Sequence, residues 1–184
     1  MKLMMIDLDA TLFDTKEINY RAYKEALESY GFEIDYNYYC KFCNGRHYTD
    51  FLPQITTDDE SILLDMHKRK KEVYSKYLSY GRVNQMLVDL IRSRDMSCKA
   101  ALVTTASKQN TFDILNKFNL MDLFDLILTH EDITKSKPDP EGFLKAMKLF
   151  NVEARDCLIF EDSSVGIEAA EKTGATVFVA KGYN

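Results

Sequence analysis

Two carboxylates, Asp7 and Asp9, stand two residues apart directly after a short apolar run, Leu3-Met4-Met5-Ile6. Four apolar residues in a row read as a buried strand. The pattern turns helical beyond it, so the pair stands at the carboxyl end of a strand, where open α/β sheets place their ligands. Like charges this close are costly unless they share a cation or a proton. A surface turn is the bland reading, but the four apolar residues immediately before Asp7 favour a site.

Three further groups fall at or just after the ends of expected strands. Thr104 follows Ala100-Ala101-Leu102-Val103. Lys137 lies in Ser136-Lys137-Pro138-Asp139-Pro140. Glu161 and Asp162 follow Cys157-Leu158-Ile159-Phe160. Singly, each has an ordinary explanation: a threonine ending a strand, a loop lysine, a carboxylate pair capping a helix. Together, in this order, they would require four independent coincidences if each had only its ordinary explanation.

The elements that must position them follow from periodicity. Asn84 to Arg94 reads as a helix, and Ser107 caps another that turns Ile114, Leu115 and Phe118 inward. Leu126-Ile127-Leu128 is a strand. Asp139-Pro140 starts a helix with proline at its first position, and Ser163 caps one that Gly174 closes. Ala175 to Ala180 supplies a last strand. Strands alternating with helices imply a parallel sheet with right-handed crossovers. Residues 15–80 break the alternation with helices alone. Asp14 is expected to cap the first, with Glu17 three residues later. A later one, opened by Thr57-Asp58-Asp59-Glu60, places Ile62, Met66, Val73 and Tyr77 on one face. Inside it, Lys68-Arg69-Lys70-Lys71 points nearly all round the axis and forms no basic face. Lys70 is expected to lay its stem over the apolar stripe and keep its charge in water. The expected organisation is an α/β, Rossmann-like, five-stranded parallel sheet with helices on both faces, from residues 1–14 and 81–184, interrupted by an all-α insert, 15–80.

Composition narrows the class. The chain has 184 residues, enough for a sizeable core, and 46% are apolar. A net charge of −5 argues against general nucleic-acid binding. The apolar start is too short for a signal peptide and no run reaches membrane-spanning length, so a soluble cytoplasmic protein is the default expectation. Of four cysteines, Cys98 and Cys157 fall in expected strands as core thiols. Cys40 and Cys43 form a CxxC pair with His47 nearby, but a structural zinc site wants four ligands and no second pair exists.

Asp7-Leu8-Asp9-Ala10-Thr11 resembles the first motif of the haloacid dehalogenase-like superfamily, Asp-x-Asp-x-Thr. Thr104, Lys137 and Glu161-Asp162 match its other three motifs in order, and Phe160-Glu161-Asp162-Ser163-Ser164-Val165-Gly166-Ile167-Glu168-Ala169-Ala170 is especially close to the fourth. The resemblance implies that Asp7 attacks phosphorus and becomes an aspartyl phosphate. Asp9 would be the general acid and base. Thr104 would donate to a phosphoryl oxygen and Lys137 would offset its charge; Thr105, next in the chain, joins the substrate-binding candidates. Mg²⁺ would take the Asp7 and Asp162 carboxylates and the Asp9 main-chain carbonyl, with Glu161 binding through water or orienting its neighbours. The family usually has glycine where this chain has Ala10; if that position needs positive φ, alanine is strained by about 1–2 kcal/mol. An aspartate at position 9 points away from the dehalogenases and phosphonatases of the superfamily, towards phosphatases and phosphomutases.

The helical insert resembles the family's small cap, which closes over the site and reads the rest of the substrate. Asn44-Gly45-Arg46-His47 takes the place of its specificity loop. Arg46 either pairs with a second anionic group of the substrate or is a solvated surface arginine. Asn19 stands where β-phosphoglucomutases and related sugar phosphatases often carry histidine; it is kept as a substrate-binding candidate, and the missing histidine weakens the mutase reading. The expectation is a Mg²⁺-dependent phosphatase of a small phosphorylated metabolite such as a sugar phosphate. A β-phosphoglucomutase-like phosphomutase is the second reading, and a non-catalytic binding protein on the same fold the third.

Overall fold

The computed structural model describes residues 1–181. The chain divides into two compact units, Thr15–Gly81 and Met1–Asp14 joined by the chain from Arg82 onward.

The unit Thr15–Gly81 is helical. Its two long helices are α1 (Lys16–Glu28) and α2 (Glu60–Val73). Ile18, Ala22, Ala26 and Leu27 of α1 are buried at helical spacing. Thr15, not Asp14, is the residue before the first turn; Asp14 lies in the other unit, where Arg82 donates to its carboxylate. Asp59 caps α2 by accepting from the Ser61 and Ile62 amides. The buried face of α2 is Leu63, Met66, Lys70 and Val73: Met66 and Val73 lie on it as expected, while Leu63 takes the place of Ile62, which is exposed. Lys70 also departs from expectation. It is buried, its Nζ donates to Asn19 Oδ1 at 2.5 Å, and the rings of Tyr74 and Tyr23 lie 4.7 and 5.2 Å away. An amide oxygen and two aromatic faces thus take the place of water around the ammonium. Cys40 and Cys43 share a π-helical turn, Tyr39–Cys43, and burial pushes the Cys43 thiol up to about 11, so it packs as an inert apolar group.

The other unit is built on five parallel strands: β1 (Leu3–Ile6), β4 (Lys99–Val103), β5 (Leu126–Leu128), β6 (Cys157–Glu161) and β7 (Thr176–Val179), in the order β5-β4-β1-β6-β7. A two-residue antiparallel ribbon, β2 (Phe13–Asp14) with β3 (Arg82–Val83), stands apart from the sheet; nothing in the sequence marks it. Helices α3 (Gln85–Arg92), α4 (Lys108–Lys117), α5 (Glu141–Phe150) and α6 (Ser164–Glu171) cover both faces. All four residues of β1 are fully buried, as a central parallel strand requires. Leu3 and Met5 join Val103, Phe143, Ile159 and Ala169 in one core, and Met4 and Ile6 face the opposite way by strand alternation. Asn84, Ser107 and Ser163 cap α3, α4 and α6 through their side chains. Asp139 accepts from the Glu141 amide at 3.0 Å, so α5 starts one residue later than proline at the first position implies.

Candidate active site

Strand register assembles the site. Ile6 of β1 is level with Leu102 of β4 and Phe160 of β6. One step further along all three strands lie Asp7, Val103 and Glu161, side by side at the carboxyl edge. The Asp7 amide continues the ladder by donating to the Phe160 carbonyl at 3.0 Å.

Lys137 reaches all three positions. Its Nζ donates to Asp7 Oδ1 at 2.5 Å, to the Val103 carbonyl at 3.2 Å, and to Glu161 Oε1. The Phe143 ring lies 5.1 Å from the ammonium. Only 9% of the Lys137 side chain is exposed and none of that of Glu161. A buried ammonium between two buried carboxylates is an expensive arrangement unless every charge is partnered, and here the partners are present. Burial would pull the lysine down, but the charges of Asp7 and Glu161 overcome it and hold Lys137 above its ordinary value. Asp7 goes the other way for a carboxylate. Burial pushes its pKa well up, Glu161 and Asp9 add to the rise, and Lys137 opposes it without cancelling it.

The fourth stretch divides its labour. Glu161 Oε2 accepts from the amides of Asp162 and Ser163 at 3.0 and 3.2 Å, and from the Ser163 hydroxyl at 3.1 Å. Both oxygens of Glu161 are therefore engaged by protein donors at the start of α6, where the helix dipole favours a negative charge. Asp162 is half-buried, and its Oδ1 accepts from the Thr11 hydroxyl at 3.1 Å. Asp7, Glu161 and Asp162 each bring a carboxylate oxygen within 4.8 Å of the others. With Asp7 driven towards protonation by its surroundings, a divalent cation fits this donor set: hard oxygens, two of them on carboxylates that flank the strand end. Asp7 and Asp162, whose oxygens are less fully engaged than those of Glu161, could hold one.

The turn that follows Asp7 also has a physical cause. The amides of Leu12 and Phe13 donate to the Leu8 carbonyl at 3.1 and 2.9 Å, and that of Ala10 to the Phe13 carbonyl at 2.7 Å. This closed loop holds Ala10 at φ 60°, so the positive φ considered from the sequence is present and alanine carries the strain. Asp9 is half-buried within the loop. Thr104 is buried, its amide donating to the Leu128 carbonyl at 3.0 Å and its hydroxyl oxygen accepting from the Ala106 amide at 3.0 Å. It lines the same small cavity as Lys137, Ile133 and Phe143, whereas Thr105 is exposed.

Asn19 and Arg46 belong to the helical unit. Asn19 Nδ2 donates to the Thr15 carbonyl and hydroxyl oxygens at 3.1 and 3.2 Å while its Oδ1 takes Lys70. Arg46 is exposed and follows Gly45, whose φ of 76° makes the turn. Sequence reasoning gave no role to Thr11 or to the Val103 carbonyl, and it read Ser163 only as a helix cap, not as a donor to Glu161. Thr11 was signalled by its fixed place after the two aspartates; the Val103 carbonyl carries no signal of its own.

The haloacid dehalogenase-like hydrolase family matches residues 4–180. A phosphorylated carbohydrates phosphatase of Thermotoga maritima is 27% identical over 180 residues, covering 95% of this chain and 82% of that protein. A beta-phosphoglucomutase of Bacillus subtilis is 26% identical over 194 residues, covering 95% and 80%. Among solved structures, CbbY from Rhodobacter sphaeroides in complex with phosphate superposes with a TM-score of 0.83 at 22% identity, covering 98% of this chain and 86% of that one.

Proposed function

This chain belongs to the haloacid dehalogenase-like hydrolases, and on that premise we propose that it is a Mg²⁺-dependent phosphatase of a small phosphorylated metabolite, a sugar phosphate or one like it. The observation that carries the reading is Asp7: a buried carboxylate at the strand end, gripped by Lys137 and flanked by Asp162. The sugar-phosphate class rests on the similarity to the Thermotoga maritima phosphatase.

In this reading Asp7 attacks phosphorus. The bond from its oxygen to phosphorus forms as the bond to the leaving oxygen breaks, and Asp9 delivers a proton to that oxygen. Water then attacks phosphorus, Asp9 takes its proton, and the Asp7 carboxylate returns as orthophosphate leaves. Lys137, together with the charge of the bound cation, would keep Asp7 ionised beside Glu161 and Asp9, and Lys137 offsets charge on the phosphoryl oxygens; Thr104 donates a hydrogen bond to one of them. Mg²⁺, held by Asp7, Asp162 and the Asp9 carbonyl, would neutralise charge on the phosphoryl group. Glu161 serves as the anchor of Lys137. The unit Thr15–Gly81 is assigned the role of cap, with Arg46 reading the part of the substrate beyond the phosphate.

The similarity to a beta-phosphoglucomutase supports a second reading, in which the phosphoryl group passes from Asp7 to another phosphosugar instead of water. Incubation with an aryl phosphate, with Mg²⁺ and with a strong chelator, tests the main one. Release of phosphate that needs Mg²⁺ is expected. Full turnover in chelator, or none with Mg²⁺ on aryl and sugar phosphates alike, would contradict it.

A further inference from the structure

Glycine is disfavoured inside a helix relative to alanine, yet Gly166 stands in the first turn of α6 and is buried. Its φ is outside the left-handed region, so conformational freedom is no reason for it. Its amide donates to the Ser163 hydroxyl oxygen at 3.1 Å, a bond alanine would make equally well. The reason is space. A Cβ at this position would lie 2.0 Å from Glu161 Oε1, 2.1 Å from its Cδ and 2.2 Å from its Oε2. Real Cβ atoms do not approach that closely, so the carboxylate occupies the volume a side chain would fill.

Glu161 has nowhere easy to go. It has no exposed surface, one oxygen is held by Lys137, and the other by two amides and a hydroxyl. We propose that Gly166 is a positioning residue of the active site: its missing side chain seats the Glu161 carboxylate, which in turn fixes Lys137 against Asp7. The proposal rests on the phosphatase reading for its catalytic consequence and on packing alone for its steric one.

Gly166→Ala must push the carboxylate out of its seat. Lys137 then loses one of its two anionic partners and settles differently on Asp7. Gly166 meets no substrate in this scheme, so KM should stay within about twofold while kcat falls roughly ten- to a hundredfold, as small misplacements of catalytic groups do. Glu161→Asp shortens the carboxylate arm by one methylene and makes room for the new methyl. In that background Gly166→Ala should cost little further kcat, and the loss of melting temperature caused by Gly166→Ala should shrink or vanish.

The test is the four-protein cycle of parent, Gly166→Ala, Glu161→Asp and the double variant, read by kcat and KM on an aryl phosphate with Mg²⁺ and by melting temperature without metal. If Gly166→Ala does not fold, the double variant carries the test: recovery of folding supports the proposal and continued failure to fold overturns it. A parent that hydrolyses nothing would sink the phosphatase reading, while the melting cycle would still report on the seat. A parent that turns over beside a Gly166→Ala variant of equal kcat would overturn the positioning role, whatever its melting temperature. A KM effect with kcat unchanged, or equal losses in both backgrounds, would overturn it too.

Discussion

Lys137→Met isolates the group that holds the site together. The variant keeps an unbranched apolar side chain and removes the ammonium. Glu161, with no exposed side chain, then loses the donor to Oε1 and keeps the three on Oε2. Asp7, side by side with Glu161 at the end of the neighbouring strand, loses the opposite charge between them. Removing one member of a buried ion pair costs about 3–5 kcal/mol. The three donors left to Glu161 place this case at the low end, about 3 kcal/mol. For a chain of this size that is roughly 6–12 °C in melting temperature. The melt is to be run in chelator, because a divalent cation could stand in for the lost charge. Adding Glu161→Gln to Lys137→Met removes the stranded anion, so the double variant should recover most of the loss. Neither variant should recover turnover, since loss of a charge-stabilising donor costs about 10²–10³ in kcat. A melting temperature within about 2 °C of the parent, which corresponds to under about 1 kcal/mol, would refute the claim that this cluster is electrostatically tight. So would a double variant no more stable than the single one.

Ala10→Gly should stabilise the protein by about 0.5–1 kcal/mol, the relief of about 1–2 kcal/mol at φ 60° less the extra chain entropy of glycine; a lower melting temperature would count against strain there. Asp7 has a folded pKa above its unfolded one, so its contribution to stability is fully present below about pH 4 and is lost as pH rises through the folded value. In chelator at pH 7–8, Asp7→Asn should therefore melt higher than the parent, and Mg²⁺ should raise the parent's melting temperature more than the variant's. The opposite order in a pair of melting curves would contradict the metal assignment. Arg46→Ala should raise KM for the true substrate, with kcat/KM lower by roughly ten- to a hundredfold and little change on a small aryl phosphate; equal kinetics on every substrate would make Arg46 a solvated surface residue.

What the sequence revealed and what it hid divide along physical lines. A central parallel strand is apolar throughout, so Leu3–Ile6 announced itself and placed Asp7 at the sheet edge. Side-chain caps at Ser107 and Ser163 are local bonds within three residues, and they were legible for that reason; Asn84, read as the first residue of its helix, is in fact its cap. The two-residue ribbon of Phe13–Asp14 with Arg82–Val83 has too few residues to show a period, and it took Asp14 from the helix that was expected to use it. Burial of Lys70 depends on Asn19 and the ring of Tyr23, which come from α1, as well as on the ring of Tyr74 one turn further on, and a lysine in a basic run gives no hint of that. The bond from Thr11 to Asp162 spans 151 positions. Gly166 was legible in principle: a glycine inside an otherwise good helix signals a close approach, though not which group approaches.

The measurement closest to the central claim traps the phosphoryl group on the protein. Enzyme and an aryl phosphate are mixed with Mg²⁺, quenched in acid within the first turnover, and treated with borohydride, which reduces an acyl phosphate of aspartate to homoserine. Peptide mass analysis then locates the change. Homoserine at position 7 is expected, absent in unreacted protein and in Asp7→Asn. Phosphate release at the parent's normal rate with no modification at position 7, or with homoserine at another aspartate, would contradict the assignment of Asp7 as the nucleophile.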